Sequence, residues 1–148
     1  MAGSKSDVWE NGLLLLLFNN TTFTEVGDAA GLLKSAADGN LYVSLHTADP
    51  GEAGDQTTSE SAYTGYARRP VVRTAAGWTV AANSVSNAAA ITFGADTAGV
   101  EHITHFGVGT LVAAAGKLLY SGELTTHLDV GVGVTPSFAI GALVITES

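Results

Sequence analysis

Leu41-Tyr42-Val43-Ser44-Leu45-His46-Thr47-Ala48-Asp49-Pro50-Gly51-Glu52-Ala53-Gly54 is the stretch on which the fold turns. Leu41, Val43 and Leu45 share one side of an extended chain and Tyr42, Ser44 and His46 the other, the period-2 pattern of a half-buried strand. Asp49-Pro50-Gly51 ends that strand, because proline presets a turn φ and glycine accepts the positive φ that often follows. Glu52 to Ala62 then reads as an acidic surface loop. What precedes this stretch reads as helix, and nearly all that follows reads as strand.

Upstream, residues 1–6 form a polar arm expected to be flexible, and a helix is predicted over 7–18. Asp7 is positioned to cap it and Glu10 to complete a capping box. Trp9, Leu13, Leu16 and Leu17 recur at helical spacing, with Leu14 and Leu15 widening the apolar face. Ala29 to Ala37 is ambiguous and allows a short helical turn. Downstream, strands are predicted at Tyr66–Arg73, with Pro70 forcing an edge or bulge, and at Trp78–Ala82. Further strands follow at Asn87–Phe93, Ile103–Thr110, Leu118–Leu124, Val130–Val134 and Phe138–Thr146. The fold class is therefore mainly β: a jelly-roll-like antiparallel β-sandwich over 41–147 with a short N-terminal α-helix, in one domain spanning 1–148.

Composition narrows the function. Fourteen acidic and six basic residues give a net charge of −8, which opposes nucleic-acid binding. With no cysteine, neither a disulfide framework nor a thiolate zinc site is available. The longest apolar run, Leu13 to Phe18, falls far short of the roughly 20 residues of a membrane span. Asp7 and Glu10 disrupt the basic start of a secretory signal, so a soluble intracellular product is expected. Between Thr74 and Gly116 only Asp96 and Glu101 are charged, so that span is either deep core or covered by a partner.

Chemistry-bearing motifs are few. His46, Asp49, Glu52 and Asp55 crowd possible metal ligands together, but lack the alternating oxygens and distal glutamate of an EF-hand. His102 and His105 form an HxxH that a regular strand would send to opposite faces. Gly107-Val108-Gly109 and Gly131-Val132-Gly133 lack the strand-to-helix context of a phosphate loop and read as places where another backbone comes close. No nucleophile elbow accompanies the serines and histidines. Arg68, Arg69 and Arg73 share one predicted strand, as a solvated face or a contact for an acidic partner. No catalytic residue, metal or cofactor is nominated.

The opening stretch also resembles the signature of a family of small virion proteins of tailed bacteriophages, described as tail-fibre-like or structural. Gly65-Tyr66-Ala67-Arg68, Asn87 to Phe93 and Ile103-Thr104-His105-Phe106-Gly107 resemble later blocks of that family in order. So do Leu118 to Leu124 and Ser137 to Leu143, and Trp9-Glu10-Asn11 resembles its opening helix. Pro70, Val100-Glu101-His102 and Pro136 depart from the pattern. The resemblance implies a non-enzymatic virion protein, made in the bacterial cytoplasm and carried on the capsid surface. The expected role is capsid decoration: cementing the major capsid protein lattice as a homo-oligomer, a trimer, without nucleic acid or membrane. The alternative is a tail-fibre or baseplate module meeting the host surface; an enzyme on host glycans would need paired carboxylates, for which only Asp96 and Glu101 stand in the charge-poor span. Lys5, Trp9, Asp49, Pro50, Glu52, Asp55, Arg68 and Arg69 are the expected partner contacts.

Overall fold

The computed structural model describes residues 3–148; the first two residues of the expected arm lie outside them. The chain is mainly β, with antiparallel sheets and one short helix, in keeping with the β-sandwich class. The elements are α1 (Asp7–Asn19), β1 (Asn40–His46), β2 (Arg69–Val72), β3 (Trp78–Ala81), β4 (Ser84–Asn87), β5 (Ile91–Thr92), β6 (Val100–Gly109), β7 (Leu118–Gly131), β8 (Ser137–Phe138) and β9 (Val144–Thr146). Among the described residues, no helix is long and apolar enough to cross a membrane.

These elements form two compact units. The first joins the segment up to Gly39 to Val72–Ala90 and Ala139–Ser148, so it holds α1 and the sheet β3-β4-β9. The helix is capped by Ser6, whose hydroxyl accepts from Trp9 N, and not by Asp7, which lies exposed in the first turn. Glu10, Leu14 and Phe18 form the buried row, while Trp9, Leu13, Leu16 and Leu17 are half-buried. Phe18 meets Trp78 edge-on at 4.9 Å, a pairing that contributes about 1 kcal/mol beyond area burial. At the other end Asn20 adopts the left-handed conformation, and Arg73 donates to the orphan carbonyls of Leu17 (2.6 Å) and Leu16 (2.8 Å). Asn20 also holds Ser35 through both backbone groups, fastening 29–37 as a bent segment rather than a helical turn.

Asn87 centres the rest of this unit. Fully buried, it donates to the carbonyls of Ala89 and Ala139 and accepts from Leu143 N. Those bonds divide the expected strands: Asn87–Phe93 becomes β4 and β5, and Phe138–Thr146 becomes β8 and β9.

The second unit, Asn40–Val71 with Ile91–Phe138, carries the sheet β2-β1-β6-β7 and the pair β5-β8. Pro70 lies in β2, an edge strand, as expected from its missing donor. β1 pairs antiparallel with β6, Val43 facing Val108 and Leu45 facing Phe106. Contrary to the half-buried expectation, β1 is covered on both faces: Ser44 and His46 are as inaccessible as Val43. The expected strand Leu118–Leu124 runs on as one long strand, β7, interrupted by an excursion, and the expected strand Val130–Val134 contributes only its first two residues to it, Val132 and Gly133 being a turn. Ile103 pairs with Leu128 and His105 with Glu123, so Thr104 alone spans the same interval as Leu124 to His127. Tyr63, Tyr66, Phe93, Phe138 and Phe106 form a chain of ring contacts through the core.

Candidate interaction surface

The opening stretch builds its surroundings from β1 outward. His46 Nδ1 lies 2.9 Å from the carbonyl of Thr58, which can only accept, so the proton sits on Nδ1. Nε2 therefore accepts from Ser44 Oγ at 2.8 Å. This is a serine–histidine pair, but sealed: a Cβ on Gly107 would stand 2.6 Å from both Nε2 and Oγ. Burial holds the imidazole below its ordinary pKa, opposed by the bond to Thr58. The pair therefore packs the second face of β1 and has no access to a substrate.

The predicted acidic loop is tied down along its length. Thr47 N donates to Ser59 O and Ser61 N to Leu45 O, with His46 bridging Glu60. Gln56 is fully buried, its Oε1 accepting from Thr110 N (3.0 Å) and Leu111 N (2.9 Å) while Nε2 donates to Leu111 O (3.3 Å). Gly109 and Gly116 leave room for that side chain. The Gly-Val alternation in β6 thus accommodates side chains, Ser44, His46 and Gln56, rather than another backbone. Arg68 grips Glu60 through two bonds, Nε to Oε1 (2.6 Å) and Nη2 to Oε2 (2.7 Å), and reaches Leu111 O through Nη1. The Glu60 carboxylate raises the guanidinium pKa, and burial drives the Tyr66 phenol, which donates to Glu60, far above its usual range.

Together Gln56 and Arg68 brace the turn between β6 and β7 from beneath. What the turn presents is apolar: Leu111, Val112, Ala113, Ala114 and Ala115 are consecutive and exposed, Val112 at 62%. Val100, at 81%, and Val132, at 73%, are exposed near the far end of the β6–β7 pair. Trp78, Val85, Ile91, Phe93 and Ile103 of the charge-poor span are core, while Val100, Leu111 and Val112 face outward. A braced run of five exposed apolar residues suits a protein contact.

Beside the first half of β7 lies an open cleft of about 620 Å³, lined by Asp49, Gly51, Glu52 and Gly54 on one side and Leu118 to Glu123 on the other, with His105. On the strand's later half, His102 meets Asp129 (2.6 Å) and His127 meets Glu123 (3.0 Å), the two imidazoles edge-to-face at 5.4 Å.

The expected contact residues divide. Asp49 and Glu52 are exposed and share the cleft, and Arg69 is exposed on β2. Asp49 also accepts from Gly51 N, shaping the turn. Pro50 is buried beneath that turn, and Arg68 is buried and paired with Glu60. Arg73 is likewise spent on the helix end rather than on a strand face. Asp55 accepts from the hydroxyl and N–H of Thr57, which lowers its pKa, and organises its own turn. Lys5 is paired with Glu147, and Trp9 stacks obliquely on Phe23 at 5.5 Å. Of the two carboxylates weighed for glycan chemistry, Asp96 is buried and accepts from Ala98 N, and Glu101 accepts from Ser61 Oγ and the N–H groups of Ala62 and Tyr63. The apolar turn and the cleft beside β7 were not singled out from the sequence; the signal for the first was the uncharged run Leu111–Ala115 itself.

The family model for the podophage GP4 fiber I protein gp80 matches residues 4–146. The chain belongs to that family. It is accordingly a structural protein of a phage virion, as the resemblance implied at this coarser level. No curated protein matches it.

Proposed function

We propose that this chain is a non-enzymatic module of a phage fibre, held in the virion by contacts through the braced turn Leu111–Ala115. The single observation that carries the fibre placement is the match of residues 4–146 to a family described as a fibre protein. The turn supports the mode of action: its apolar side chains stand outward on a backbone fixed by Gln56 and Arg68, so binding costs little ordering entropy. Cohesion then follows by mass action, since a module that binds only the assembled particle stabilises it.

A second placement, decoration of the major capsid protein lattice as a trimer, is favoured by one observation. The chain has no internal repeat of the kind that builds a fibre shaft, and its strands are mostly short. Quantitative mass spectrometry of purified virions separates the two. A small number of copies, with labelled antibody on the tail or fibres, is the expected result; hundreds of copies spread over the head would overturn the fibre placement. Sedimentation of the purified protein tests self-association, with a trimer expected if the charge-poor surface is an oligomer contact.

A further inference from the structure

We propose that His102 and His127 form a binding site for a late transition-metal ion of the Zn²⁺ type, which clips β6 to the excursion of β7. The proposal stands apart from the virion reading. His102 faces Asp129 across the β6–β7 pair, and His127, two residues back along β7, falls on the same face. The two rings lie edge-to-face with centroids 5.4 Å apart. Two imidazoles bound tetrahedrally to one ion at about 2.0–2.1 Å have centroids roughly 5 Å apart, so little adjustment is needed.

The hydrogen bonds set both rings up as ligands. A carboxylate only accepts, so the proton of His102 sits on Nδ1, 2.6 Å from Asp129, and that of His127 on Nε2, 3.0 Å from Glu123. Nε2 of His102 and Nδ1 of His127 keep their lone pairs, and neither has a hydrogen bond among the described residues. A metal-bound histidine ordinarily has this form, because the carboxylate on its second nitrogen fixes the tautomer, orients the ring and raises its basicity. As ion pairs alone the two contacts contribute little, since all four side chains are exposed.

Room and charge suit a hydrated cation. A hollow of about 540 Å³, open to solvent, lies at the excursion, lined by Glu123, Leu124, Thr125 and His127. The chain carries a net charge of −8, and Glu123 and Asp129 flank the pair. Among the described residues no three His, Asp or Glu side chains can hold an ion together, so two imidazoles are the protein's share and water completes the coordination. Imidazole selects copper, nickel and zinc over magnesium and calcium, which take oxygen ligands. His105 stands outside the site: its Nδ1 lies 2.8 Å from Thr104 Oγ1, and it lines the other cleft. The HxxH is thus split, and His102 finds its partner on the neighbouring strand.

Titration of the purified chain with Zn²⁺ near neutral pH, read by calorimetry and by the imidazole resonances, tests this. The expected result is one ion per chain, with the His102 and His127 resonances shifted and those of His46 and His105 unmoved. Zn²⁺ should also raise the urea midpoint, because the pair exists only in the folded chain, and Mg²⁺ should not. His102→Gln combined with His127→Gln should abolish both effects with an unchanged circular dichroism spectrum, both positions being exposed, whereas His105→Gln should retain them. Asp129→Asn keeps both ligands but weakens the support of His102, and should lower the affinity roughly tenfold. Absence of binding at millimolar Zn²⁺, binding retained by the double variant, an equal response to Mg²⁺, or a shift of His105 in place of His127 would overturn the proposal.

Discussion

Replacing Gly109 by alanine should be damaging for one identifiable reason, the buried side chain of Gln56. A Cβ at position 109 would lie 2.1 Å from Gln56 Cδ and 2.4 Å from Cγ and Nε2. A flexible surface glutamine would swing aside. Gln56 cannot, because it is fully buried and its amide is held by Thr110 N, Leu111 N and Leu111 O. Overpacking of this kind costs about 1–3 kcal/mol. Gln56→Ala alone loses three side-chain hydrogen bonds, at about 1 kcal/mol each a cost of about 3 kcal/mol. If the two sites were independent, the double variant would lose about 5 kcal/mol. The structure predicts otherwise: without Gln56 the alanine methyl has room, so the double variant should be no less stable than Gln56→Ala. The coupling is then about 2 kcal/mol. Urea unfolding followed by circular dichroism measures all four corners of the cycle, with comparison valid where the m-value is unchanged. Additive losses would refute the account of Gly109 as space for Gln56.

Three further outcomes follow from other parts of the fold. His46 is held below its ordinary pKa, so as acid is added the unfolded chain takes the proton first. Its stabilising contribution is present above about pH 6.5 and is lost as pH falls towards the folded pKa, at no more than about 1.4 kcal/mol per unit. His46→Gln should remove that component from the pH dependence of the urea midpoint, and an identical pH profile would contradict it. Arg68→Met leaves the Glu60 carboxylate largely buried without its partner and should cost about 3 kcal/mol, while Arg68→Met with Glu60→Leu should recover part of the loss. Arg73→Met should cost about 1–2 kcal/mol by freeing the carbonyls of Leu16 and Leu17, detected as faster hydrogen exchange in the last turn of α1.

Local chemistry made much of this fold readable. Helical spacing of the leucines, the block at Asp49-Pro50-Gly51 and the missing donor of Pro70 act within a few residues, so α1, the end of β1 and the edge position of β2 follow from them. The misjudged elements depend on distant partners. Asn87 breaks two expected strands because it bonds to residues near 139–143, and nothing within its own strand announces that. β7 runs on past Leu124 because β6 pairs with it on both sides of an excursion, a register that only the partner strand can set.

The same division governs the candidate site. The residues of LYVSLHTADPGEAG determined by themselves a strand, its terminating turn and an exposed acidic lip, since alternation, proline and glycine act on the local backbone. Tertiary structure alone decided what lies against them. Burial turned His46 from a possible ligand into a neutral core group, and pairing with Glu60 removed Arg68 from the surface. Folding brought Leu118 to Glu123 of β7 beside Asp49 and Glu52, about 70 residues away in the chain. Desolvation, charge pairing and strand adjacency are properties of neighbours in space, and a linear sequence does not name those neighbours.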